Sequence, residues 1–156
     1  VRRHAQISLP EEIDMAANLG ALLCQRGVLL FLLGLLTGLG QAIYRNPRVG
    51  LSAHMTGVQS GTALVAFGLL WPHLGVGSGW AAPLAHTLWL SFYAIWLALV
   101  LAAFFGASKV LPIAGKGFTA KPWQEALVAT VMVAGSVACI AGVGGLLVLG
   151  SWQTVL

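Results

Sequence analysis

"AAPLAHTLWLSFYAIWLALVLAAFFG", residues Ala81–Gly106, runs for 26 residues without an Asp, Glu, Lys or Arg. A helix of about 20 apolar residues already crosses the hydrocarbon core of a bilayer. Three further stretches read the same way: Gly27–Ile43, Leu51–Trp71 with Pro72 as its stop, and Trp123–Leu149, which has no charge after Glu125. The pattern predicts an all-α fold, an integral membrane four-helix bundle in a single membrane domain over residues 1–156. Composition points the same way. Of 156 residues 58% are hydrophobic and 8% charged, where a soluble domain carries about 25% charged residues. That is too little charge to coat a water-facing surface.

Outside the spans, "SLPEE" reads as a helix start. Ser8 can cap, Pro10 fits the first turn, and Glu11 and Glu12 face the positive end of the dipole. A short helix over Leu9–Leu19, within an N-terminal interfacial segment of residues 1–20, is expected to lie along the membrane surface. The N-terminus carries acids where a cleavable signal would have its apolar core, so targeting falls to the first span. The connections "YRNPR" and "ASKVLPIAGKGFTAKP" hold five of the eight Lys and Arg residues, and "PHLGVGSG" holds none. By the positive-inside rule the first and third loops are cytoplasmic and both termini outside, with Arg2, Arg3 and Arg26 running against that assignment. Trp71, Trp80, Trp123 and Trp152 fall near span ends, where aromatic belts belong. The scattered cations suit anionic headgroups of membrane lipid rather than nucleic acid.

The chemistry-bearing residues are few. The acids are Glu11, Glu12, Asp14 and Glu125, none deep in a span. That argues against a proton-coupled transporter, whose relays use intramembrane carboxylates. It also removes paired-carboxylate catalysis and a Ser-His-Asp arrangement. Cys24 and Cys139 lie far apart in apolar runs and read as small hydrophobes. Among the histidines, His4 sits in a polar tail, His73 at a span end, and His86 near the start of the third helix, where a bond to a neighbouring helix is expected. His54 keeps different company. At about 100° per residue, Gly57, Val58 and Gly61 share its helix face. The imidazole therefore projects beside a flat surface that suits either a neighbouring helix or the plane of a macrocycle held by a histidine ligand. Spacing does not separate the two.

Four stretches in order, "RGVLLFLLGLLTGLG" (from Arg26), "NPRVGLSAHMTGVQSG" (from Asn46), "GLLWP" (from Gly68) and "LPIAGKG" (from Leu111), resemble hydroxylaminobenzene mutase, a small membrane isomerase that converts hydroxylaminobenzene to 2-aminophenol. More distantly the pattern resembles styrene oxide isomerase, a four-helix membrane protein. The resemblance covers Arg26 to Phe118 and is strongest from Asn46 to Gly61. It implies a multi-pass protein of the bacterial inner membrane and a homotrimer with haem b at each subunit interface. His54 would then be the iron ligand, with Gly57 and Gly61 beside the cofactor. The iron would act as a Lewis acid on a small lipophilic aromatic hydroxylamine or epoxide. Ser60, Gln59 and Tyr93 are the expected polar contacts to substrate.

The chain also departs from the family pattern. Ser60 stands where the pattern has an asparagine, Arg26-Gly27 where it has His-Gly, and Ile95 where the third helix has an asparagine. Arg26 at the span mouth would either reach a haem propionate or snorkel to the interface. Two other readings stay open: a haem-binding redox or sensing subunit without isomerase activity, and a haem-free scaffold or permease.

Overall fold

The computed structural model describes residues 9–151. The expectations for Arg2, Arg3, His4, Ser8 and Trp152 lie outside those residues. Four long helices follow one another: α1 (Leu9–Leu39), α2 (Pro47–Leu70), α3 (Ser78–Phe105) and α4 (Pro122–Leu149), with single 3-10 turns at Gly40–Ile43 and Trp71–His73. Among the described residues three stretches are long and apolar enough to cross a membrane: Glu11–Ile43, Ser78–Phe105 and Pro122–Leu149. α2 is the polar member of the set, with Ser52, His54, Thr56, Gln59, Ser60 and Thr62 along its length.

The separate surface helix expected over Leu9–Leu19 does not form. α1 starts at Leu9 with Glu11 and Glu12 in its first turn, but it continues unbroken to Leu39, 31 residues in all. No proline interrupts it after Pro10, and packing carries it across the expected break. Leu19 and Leu23 are buried against Trp71 and Leu74. Gly20 lies so close to α2 that a Cβ there would meet the Gly68 oxygen at 2.7 Å. At about 1.5 Å per residue α1 is roughly 46 Å long, well beyond the ~30 Å hydrocarbon thickness.

α1 and α2 pack through glycine. In lipid no hydrophobic force pulls helices together, so close backbone approach and dispersion must do it. Gly20, Gly27 and Gly34 recur every seven residues of α1, nearly a whole number of turns, and so line one face. They meet Gly68, Gly61 and Gly57 of α2. A Cβ on Gly57 would stand 2.6 Å from the Gly34 Cα, and one on Gly61 2.5 Å from the Phe31 nitrogen. Neither position admits a side chain. The α4 glycines meet mainly side chains of α3 instead: a Cβ on Gly142 would lie 3.2 Å from a Leu88 methyl and one on Gly145 2.7 Å from a Leu84 methyl.

Two buried polar residues fix the end of the bundle that carries the basic loops. Asn46 is fully buried. Its Oδ1 accepts from the Arg48 and Val49 nitrogens at the start of α2, and its Nδ2 donates to the Ala114 oxygen at 2.9 Å. Its own N–H donates to the Ala103 oxygen. Pro47 follows at the first helical position, where its missing donor costs nothing. Glu125, in the first turn of α4, accepts from the Ser108, Lys109 and Ala120 nitrogens. The long third connection is thereby pinned at both ends.

A candidate site at His54

His54 points from α2 toward α1 at Gly38, where the missing side chain leaves room for its ring. A Cβ on Gly38 would lie 2.7 Å from His54 Nδ1 and 3.0 Å from Cε1, so only glycine leaves the imidazole where it is. Nδ1 lies 2.8 Å from the Gly34 main-chain oxygen. A carbonyl oxygen can only accept, so Nδ1 carries the proton and donates it. In the neutral ring the lone pair is then on Nε2, for which no hydrogen bond forms among the described residues. A neutral imidazole fixed through one nitrogen and free at the other has the arrangement a metal-binding histidine uses.

The ring is half-buried and opens on a cavity of about 450 Å³ lined by Leu35, Gly38 and Leu39 of α1, Gln41 of the following turn, and Leu51 with His54 of α2. Leu35, Leu39 and Leu51 make its wall apolar. Gln41 is the exception: its Nε2 is buried without a hydrogen-bond partner. A buried amide donor left unmatched is costly, and here it borders the same cavity as the free imidazole nitrogen. Among the described residues no three of His, Cys, Asp and Glu gather as a metal-binding group.

The other expected site residues stand elsewhere in a single chain. Gly57 and Gly61 are buried against α1, so a neighbouring helix takes the flat face beside His54. Gln59 is exposed, about 140° around α2 from His54 by helix geometry, and Ser60 is about 120° around in the opposite sense. Tyr93 donates its hydroxyl to the Arg26 main-chain oxygen at 2.8 Å, and the Arg26 guanidinium carbon lies 5.1 Å from the Trp89 ring centre. Arg26 precedes Leu35 by nine residues, about half a revolution of α1, so this cluster stands apart from the His54 cavity. Ile95 packs toward Gly135 of α4. His86, expected to bond a neighbouring helix, instead bonds the Ala82 oxygen of its own helix at 2.8 Å and is exposed. A carbonyl one turn back was simply nearer than any other element.

Gln41, Gly34 and Trp89 were not singled out by sequence reasoning as site residues. The signal for Gln41 was its place as a lone amide in an apolar run; for Gly34 and Trp89 none existed without the helix register.

Comparison with known proteins gives a consistent picture. The family model described as styrene oxide isomerase matches residues 19–152. Hydroxylaminobenzene mutase HabB of Ectopseudomonas oleovorans is 45% identical over 118 residues, covering 75% of this chain and 72% of the relative. Hydroxylaminobenzene mutase HabA of the same organism is 41% identical over 103 residues, covering 65% of this chain and 76% of the relative. No solved structure matches the chain.

Proposed function

The chain belongs to the styrene oxide isomerase family and is an isomerase, and on that premise we propose that it rearranges a small lipophilic aromatic hydroxylamine, in the manner of hydroxylaminobenzene to 2-aminophenol, or an aromatic epoxide, with haem b held by His54. In this reading α2 joins the three apolar helices as a fourth span of a bacterial inner-membrane protein, and the basic first and third loops face the cytoplasm. The observation that carries it is the His54 ring, held through Nδ1 by the Gly34 oxygen with Nε2 open to an apolar cavity.

Support for haem comes from the donor set. Haem needs one axial imidazole and apolar walls for its macrocycle, which His54 with Leu35, Leu39 and Leu51 would supply. The unmatched Gln41 amide is a donor suited to an oxygen on the same ligand. When bound, ferric haem supplies a Lewis-acidic face that weakens an N–O or epoxide C–O bond. The chain's own contributions are positional. The Gly34 oxygen holds the proton on Nδ1, so in the neutral ring the lone pair is on Nε2. Gly38 leaves the ring its space, and Leu35, Leu39 and Leu51 give the cavity an apolar wall. An isomerisation of this kind needs no cosubstrate and no net proton, which suits a site without a carboxylate. An apolar substrate arrives through the bilayer.

Ser60, Gln59 and Tyr93 remain the proposed polar contacts to substrate. Since one chain turns them away from His54, a neighbouring copy in a homotrimer must bring them to the open side of the cavity.

The test begins with the absorption spectrum of detergent-purified protein expressed with added haem. A Soret band that His54→Ala removes or shifts is the expected result; no band in the wild-type protein overturns the cofactor. A six-coordinate low-spin spectrum would favour the redox or sensing reading. Anaerobic incubation with hydroxylaminobenzene and with styrene oxide, without cosubstrate, should give an isomer of at least one. Product from neither, with haem bound, removes this substrate class.

A further inference from the structure

Arg26 stands midway along the candidate span Glu11–Ile43, and among the described residues it has no ion-pair partner. The nearest acid before it in the chain is Asp14, 12 residues or roughly 18 Å away along α1. Glu125 is occupied by three backbone nitrogens at the other end of the bundle. The guanidinium lies over Trp89, and Trp89 meets Tyr93 edge-on at 5.7 Å. Tyr93 already uses the Arg26 main-chain oxygen as its acceptor. What is left at this spot is donors alone: Arg26 Nε and Trp89 Nε1 are both buried and both without a hydrogen-bond partner.

A snorkelling arginine would have its head in water and its donors hydrated. Here a guanidinium N–H is buried beside a second orphaned N–H, with the cation held against an aromatic face. An intramembrane cation without a partner marks a place where a partner arrives, and two adjacent unmatched donors define its chemistry as an anionic oxygen. We propose that Arg26 and Trp89 form a second binding site, between α1 and α3 and apart from the His54 cavity, for the carboxylate or phosphate of an amphipathic molecule seated in the bilayer.

Two sources carry that chemistry: a porphyrin carboxylate presented by an adjoining copy, which rests on the haem reading above, and the phosphate of an anionic lipid, which does not. Arg26→Gln and Trp89→Phe separate them. The probes are hemin against its dimethyl ester, titrated by absorbance, and phosphatidylglycerol against phosphatidylcholine, retained in native mass spectrometry. Arg26→Gln should weaken one anionic probe at least tenfold and leave its neutral counterpart within twofold; Trp89→Phe should shift the same probe in the same direction by less. Loss confined to hemin assigns the carboxylate, and loss confined to phosphatidylglycerol assigns the lipid. Anionic probes that bind both variants as they bind the wild type overturn the site, as does equal weakening of charged and neutral probes. If wild-type protein takes up no hemin yet discriminates phosphatidylglycerol through Arg26, the haem reading falls and this site stands.

Discussion

The proton on His54 Nδ1 is held by the Gly34 main-chain oxygen at 2.8 Å, and Gly38, one helical turn further along α1, is the bare position that lets the ring lie there. The imidazole of α2 is thus oriented wholly by backbone of α1. Groups that orient a ligating histidine typically matter 10–100-fold in metal affinity. Gly38→Ala would place its methyl 2.7 Å from Nδ1, so the ring must turn and the hydrogen bond must break. On the proposed haem reading, affinity for haem should fall by about 10–100-fold, read by Soret titration, with helical content by circular dichroism unchanged. Unaltered affinity would show that the anchor is dispensable.

Packing of α1 on α2 makes a prediction independent of any cofactor. A Cβ at Gly61 would lie 2.5 Å from the Phe31 nitrogen and 2.8 Å from its Cα. Backbone cannot move aside as a side chain can, so Gly61→Ala should destabilise by about 1–3 kcal/mol. Gly79, in the first turn of α3, has nothing within 4 Å of the same construction, so Gly79→Ala should be neutral or slightly stabilising. Thermal melts in detergent check both; equal midpoints for the two variants would contradict the close α1–α2 contact.

The sequence made the apolar helices legible because length without charge has one physical outcome in a bilayer. It hid the continuity of α1, since "SLPEE" followed by acids reads equally as a surface helix or as the start of a longer one. What joins the two parts is Gly20 on Gly68 and Leu23 under Trp71, contacts between residues some 48 apart in the chain. The site was half legible for the same reason. His54 stood out by its glycine neighbours, yet those glycines serve the α1 contact, and the partner that orients the ring is a main-chain oxygen invisible to residue-type reasoning. Gln41 became informative only once its amide was seen buried and unmatched.

Asn46 separates two roles that one substitution can distinguish. Its Oδ1 caps α2 while its Nδ2 holds the Ala114 oxygen of the third loop. Asn46→Asp keeps the cap acceptor but loses the donor and turns a carboxylate toward a carbonyl; Asn46→Ala loses both. Cap loss costs about 0.5–2 kcal/mol, and an orphaned buried acceptor about 1–3 kcal/mol more. Asn46→Ala should therefore lower the melting midpoint clearly. Asn46→Asp should leave α2 helical while amide hydrogen exchange quickens around Ala114. Slow exchange there in both variants would place the restraint elsewhere.

Glu125 holds the far end of that loop with its charge. The carboxylate oxygens accept from Ser108, Lys109 and Ala120 at 3.1–3.2 Å, and the side chain is almost wholly buried. Hydrogen bonds to an ionised acceptor contribute about 1.5–3 kcal/mol, against about 1 for neutral ones. Glu125→Gln preserves shape but removes the charge and turns one acceptor into a donor facing N–H groups. The connection from Ser108 to Lys121 should loosen while α3 and α4 persist, because the two helices also meet directly, Phe105 against Trp123 at this end and Leu88, Ala94 and Ile95 against the α4 glycines further along. Limited trypsin digestion should then cut at Lys109 or Lys116 several-fold faster in Glu125→Gln than in wild type, with the melting midpoint lowered only modestly. Equal cleavage rates would mean that Asn46 and the arginine contacts of Arg45 to Phe105 and Arg48 to Lys116 hold the loop without the carboxylate.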